Sequence, residues 1–144
     1  MDTYQFTPLE ESFFIKSGQK KPTTFLPYIL TDNFPKLGLF TSLRFLEWIA
    51  ENPEGVISLP TGKTPEYFIK WTSYFLNNFD KSSVKKILEQ YNLNLNKKPD
   101  TKGLRFVQID EFYPIDSSQH NSFCNYVKQF YISEFNLDPS RCLL

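Results

Sequence analysis

Two short apolar runs, GVISLP from Gly55 and LRFVQID from Leu104, place the tightest constraint on the fold. Both are rich in β-branched or aromatic residues and too short for an ordinary helix, so they read as buried strands. After the first, Thr64 offers a helix-capping hydroxyl and Pro65 suits the first helical position, while Phe68, Trp71 and Phe75 form an apolar stripe. After the second, Phe123, Val127, Phe130 and Tyr131 predict a helix from about Gln119 to Phe135 with one side in the core. Strands alternating with helices predict an α/β domain whose strands run parallel through right-handed crossovers. Ligands in such sheets sit beyond the carboxyl ends of the strands. Thr61, Gly62, Lys63 and Thr64 fall there, and so do Asp110 and Glu111.

The rest of the chain is less regular. Pro8, Gly18, Pro22 and Pro27 punctuate short apolar pieces such as SFFI and TFLPYIL, which predicts a helical turn, one strand and little else over the first thirty or so residues. From Asn33-Phe34-Pro35 a helix is expected, with Leu39, Leu43, Leu46 and Ala50 at helical spacing, ending near Asn52-Pro53. A further amphipathic helix is expected around Val84 to Gln90, followed by an Asn/Lys-rich loop that ends at Gly103.

Composition excludes several classes. The 144 residues, 40% hydrophobic, suffice for the core of one domain spanning 1–144. Sixteen basic and sixteen acidic side chains cancel, so neither a general nucleic-acid binder nor a membrane-surface protein is expected. The 17% aromatic share is assigned to the interior, because no RNA-binding motif spacing accompanies it. Cys124 and Cys142 fit neither a metal knuckle nor a disulfide framework, and the opening MDTYQF lacks the layout of a signal peptide. They read as reduced thiols of a cytoplasmic protein. No apolar run is long enough to cross a bilayer.

The GKT triplet invites a nucleotide-binding reading that the spacing does not support. A P-loop needs four residues between its first glycine and Gly-Lys-Ser/Thr, so that the backbone can wrap a phosphate. Counting back five from Gly62 gives Ile57, and the upstream glycine, Gly55, lies two places too early. A helicase-type ATPase survives only as an alternative, through the acidic strand end FVQIDEF. What remains is a compact anion site. Unpaired backbone N–H groups and the positive end of a helix dipole attract a phosphate at such a loop. Gly62 permits close approach, and the two threonine hydroxyls and Lys63 add donors. The alternative is that Thr64 only caps the helix and Lys63 is a solvated surface charge.

The Asp110-Glu111 pair at a strand end can bind metal, accept sugar hydroxyls, act as a general base, or merely cap the following turn. No His or Cys stands beside it at metal-ligand spacing, so no metal is assigned.

Taken in order, LPTGKTP, IDEFYP and NSFCNYVKQFY resemble the glucosamine-6-phosphate deaminase/isomerase family, over about Gly55 to Leu144. The resemblance implies a three-layer, Rossmann-like α/β domain with a mostly parallel sheet, and a sugar phosphate as ligand. It implies that Thr61, Gly62 and Thr64 contact the phosphate and that Asp110 moves a proton between C1 and C2 of the open-chain sugar. Glu111 and Ser122 match motif positions with supporting parts in that chemistry. No cofactor is implied, because the substrate's own carbonyl stabilises the enediol. A noncatalytic sugar-phosphate-binding module and a 6-phosphogluconolactonase-like hydrolase are the alternatives.

Three departures qualify the likeness. Lys63 stands where family members often carry a small residue. The stretch from about Lys81 to Lys102 looks like an insertion. The family's D-x-H motif has no counterpart, His120 does not match it, and the chain stops at Arg141-Cys142-Leu143-Leu144, where the family's next strand would begin. The resemblance therefore predicts the N-terminal part of an incomplete domain with little or no turnover. Its open edge would favour a homo-oligomer or association with a missing C-terminal half. His120 is expected at the surface or in a turn.

Overall fold

The computed structural model describes residues 4–23 and 26–144. In chain order the elements are helix α1 (Pro8–Ser17), α2 (Phe34–Glu51), strand β1 (Val56–Ile57), α3 (Glu66–Asn77), α4 (Ser82–Gln90), β2 (Arg105–Val107), α5 (Phe123–Val127) and β3 (Cys142–Leu143). A π-helical segment, Lys128–Ser133, prolongs α5, and a 3-10 turn, Pro139–Arg141, leads into β3. The three strands form one sheet in the order β1-β2-β3, parallel throughout, with Ile57 opposite Phe106 and Phe106 opposite Cys142. Helices joined to a small parallel sheet make this an α/β fold.

The N-terminal region departs from expectation. Instead of a single turn it holds a full helix, α1, because Thr7 and Glu10 close a reciprocal capping box and Gly18 ends the helix in the left-handed conformation at φ 63°. Among the described residues this region contains no strand; Thr24 and Phe25 of the TFLPYIL piece lie outside them. Helix α1 docks on α2 through the stacked rings of Phe13 and Phe40, 4.1 Å apart, and through Arg44, which pairs with Glu10 at 3.0 Å and Glu47 at 2.9 Å. Helix α2 starts at the Asn33 cap and stops at Asn52, as the sequence predicts.

Helices α2 and α3 approach closely at Gly38, where a Cβ would lie 2.5 Å from the Cβ of Tyr67. Beside this contact the Ser42 hydroxyl donates to the Phe68 carbonyl at 2.9 Å and shares a 2.9 Å bond with Thr72. The core runs continuously from Leu9 and Phe40 through Leu46, Phe68 and Phe75 to Phe106, Tyr131 and Phe135. The Lys81 to Lys102 stretch contributes to it, since Val84, Leu88 and Leu93 are buried.

Both strands foreseen from the sequence exist but are shorter than their apolar runs. β1 is an edge strand: Ile57 is buried while Val56 is 60% exposed, which corrects the reading of a strand buried on both faces. The C-terminal helix begins at Phe123 rather than near Gln119, because Ser122 caps it there. Its buried side is Cys124, Val127, Tyr131 and Phe135; Phe130, expected in the core, is 41% exposed. The π-helical turn rotates the later residues away from the α-helical stripe.

Candidate functional site

The loop after β1 holds its residues with few internal bonds. Helix α3 begins one residue later than expected, Pro65 takes the cap position, and the Thr64 hydroxyl makes no capping bond. The expected cap is therefore absent, and the hydroxyl is left exposed. Gly62 adopts φ +98°, a conformation side chains rarely take, and nothing lies within 4 Å of where its Cβ would stand. Among the described residues, no protein acceptor receives the backbone N–H of Thr61, Gly62, Lys63 or Thr64. These four consecutive amides surround a positive-φ glycine just before the start of α3. Lys63 is exposed beside them. The one nearby carboxylate on α3, Glu66, is held below its ordinary range by a hydrogen bond from Lys70 at 2.5 Å and by that residue's charge.

Two tyrosines grip the same loop from the C-terminal helix. The Tyr131 hydroxyl donates to the Pro60 carbonyl at 2.5 Å, and the Tyr126 hydroxyl to the Gly62 carbonyl at 2.8 Å. Burial raises both pKa values, aided at Tyr126 by the charge of Glu66, so both stay protonated donors. A groove of about 690 Å³ runs along this side of the loop, between α3 and the π segment, with Lys63, Lys70, Tyr126 and Phe130 on its walls.

The second strand end lies next door. The pairing of β1 with β2 extends past the strands, since the Ser58 hydroxyl donates to the Val107 carbonyl at 2.7 Å. Thr61 and Asp110 each stand four residues beyond the paired Ile57 and Phe106. The Gln108 side-chain amide donates to the Asp110 carbonyl at 2.7 Å and steadies the backbone there. The Asp110 carboxylate is exposed and accepts no hydrogen bond from any described residue.

Glu111 is placed differently. Its Oε2 accepts from the Ser122 hydroxyl at 2.6 Å and the Cys124 N–H at 2.9 Å, and its Oε1 from the N–H groups of Phe112 and Phe123, each at 3.0 Å. Desolvation pushes this carboxyl up, but the four hydrogen bonds outweigh it and hold the pKa at about 2. Glu111 is thus ionised at neutral pH and occupied in capping α5, and Ser122 works with it while also accepting from the Asn125 N–H at 3.3 Å. Sequence reasoning brought out Thr61, Gly62, Lys63, Thr64, Asp110, Glu111 and Ser122 but gave Tyr126, Tyr131 and Gln108 no part in the site. Tyr131 read only as an apolar helix residue and Tyr126 carried no signal, since a hydroxyl bound to a distant carbonyl leaves no trace in local spacing. His120 is exposed in the turn before α5. Among the described residues no cluster of His, Cys, Asp and Glu suited to a metal is present. None of the described helices is long and apolar enough to cross a membrane.

The architecture is similar to that of a solved structure of a monomeric glucosamine-6-phosphate deaminase, described as a missing link of the NagB superfamily, with a TM-score of 0.55 and 20% sequence identity. The likeness shows a shared fold. It covers 78% of this chain and 39% of that one, so the chain spans well under half the length of the deaminase it matches. No protein-family model matches the sequence, and no curated protein matches it.

Proposed function

We propose that this chain is the sugar-phosphate-binding and proton-transferring part of a glucosamine-6-phosphate deaminase/isomerase-like protein. It would form one three-layer, Rossmann-like domain of a cytoplasmic protein of amino-sugar metabolism. The observation that carries this reading is the pairing of four free amides at 61–64 with the unpartnered Asp110 carboxylate, at matched positions past adjacent parallel strands. The phosphate of the substrate would lie against Thr61, Gly62, Lys63 and Thr64. This fixes the far end of a small sugar and brings its C2 to the base.

In the proposed reaction Asp110 takes the C2 proton of the open-chain amino sugar. The C–H electron pair forms a C1–C2 double bond as the C1 carbonyl oxygen gains a proton. Return of the proton to C1 leaves an imine at C2, and water then releases ammonia. A base must be held within about 3 Å of the carbon it deprotonates, which the anchored phosphate serves to arrange. Glu111 and Ser122 hold the strand end that carries Asp110.

Titration of the labelled chain with glucosamine 6-phosphate tests the reading. The amide signals of residues 61–64 should shift together with that of Asp110. Shifts confined to other regions, or none at millimolar ligand, would overturn it. Ammonia release by these 144 residues, whose likeness covers 39% of the deaminase, is expected to be slight, and turnover like that of the complete deaminase would disprove this.

A further inference from the structure

Two carbonyls of the proposed anion loop, those of Pro60 and Gly62, are held from the C-terminal helix. A trans peptide points its carbonyl and the following N–H in opposite directions. Fixing the Pro60 carbonyl therefore fixes the Thr61 N–H, and fixing the Gly62 carbonyl fixes the Lys63 N–H. Both carbonyls are bound by hydroxyls of one helix, Tyr131 on Pro60 and Tyr126 on Gly62. Both amides are therefore turned away from that helix.

These two tyrosines are five residues apart. On an α-helix of 3.6 residues per turn, that spacing would set them about 140° apart, too far around to serve one loop. Tyr126 lies in the last turn of α5 and Tyr131 in the π-helical segment Lys128–Ser133, whose wider turn brings Tyr131 back towards the face of Tyr126. The same helix is anchored at its start by Glu111, the residue next to Asp110.

We propose that Tyr126 and Tyr131 are positioning residues that aim the Thr61 and Lys63 amides at the anion, and that the π segment exists to present them together. This rests on the sugar-phosphate reading above. It deepens that reading by making the C-terminal helix the frame common to the phosphate loop and the base. Burial leaves both hydroxyls protonated, so the grip is constant around neutral pH.

The test compares the parent with Y126F, Y131F and the double variant. Backbone order at residues 61–64 is read by heteronuclear NOE and inorganic phosphate affinity by titration of the same amides. Order at 61–64 should fall in each single variant and further in the double, while Phe106 and Val107 stay unchanged. Phosphate affinity should weaken about fivefold per hydroxyl removed. A merely structural role would lower Tm and leave loop order and phosphate affinity of the folded molecules intact. Unchanged order in the double variant overturns the proposal whatever its affinity, and so does unchanged affinity where the parent binds phosphate. If order falls but the parent ignores phosphate, the positioning stands and the anion reading fails. Should the double variant not fold, Y126F alone decides, because Tyr126 is only half-buried and its ring contacts are kept.

Discussion

The Ser122 hydroxyl donates to Glu111 Oε2 at 2.6 Å, joining the end of the second strand to the start of the C-terminal helix. Because the folded pKa of Glu111 is about 2, below its ordinary 4.5, the stabilisation it gives is complete above about 4.5 and disappears as pH falls through about 2. E111Q should therefore lower Tm at neutral pH, and the gap from the parent should narrow between those two pH values. Thermal melts along a pH series check this. An unchanging gap would show that the carboxylate charge has no part in the cap.

S122A removes both the Glu111 contact and the helix cap to Asn125. A loss of about 1 kcal/mol is expected from the cap alone, measurable by urea unfolding.

The contact between α2 and α3 leaves no room at Gly38. A methyl group there would meet the Tyr67 backbone carbon at 2.6 Å and the Phe68 nitrogen at 2.7 Å. G38A should destabilise by about 1–3 kcal/mol or more, since backbone rather than a flexible side-chain end must shift. Denaturant unfolding gives the value, and a neutral result would mean that the helices part easily.

The Ser42–Thr72 pair predicts non-additivity. S42A leaves the wholly buried Thr72 hydroxyl without its partner and should destabilise by about 1–3 kcal/mol. T72V in the S42A background removes the stranded hydroxyl and should recover part of that loss. A double-mutant cycle that sums to zero would refute the coupling.

D110N tests the proposed role of Asp110 as the base. On the proposed reading, exchange of the C2 proton with solvent deuterium, followed by NMR, should fall about 10²- to 10⁴-fold in this variant while phosphate affinity stays within about twofold. A noncatalytic sugar-phosphate-binding module would show no exchange to lose in the parent.

Much of this arrangement could be read from the residues alone, for identifiable reasons. Helix α2 was legible because Asn33, Pro35 and the leucine spacing agree on one answer. Helix α1 was not, although Thr7-Pro8-Leu9-Glu10 spells a capping box. Pro8 and Gly18 looked like breaks between pieces when they mark the two ends of one helix. The strand-end loops were legible because their donors and acids are local in sequence. The tyrosine grip was not, since it joins Tyr126 to Gly62 and Tyr131 to Pro60 across more than sixty positions and depends on a π turn that no residue pattern announces.

β2 lies between β1 and β3, with partners on both sides. A slip of one residue in this middle strand would turn Phe106 out of the interior and carry the carboxylate tip to the opposite face. The two flanking strands therefore act as a ruler for the acid: an insertion or deletion between Leu104 and Asp110 should be harder to tolerate than a replacement at one of the exposed positions there.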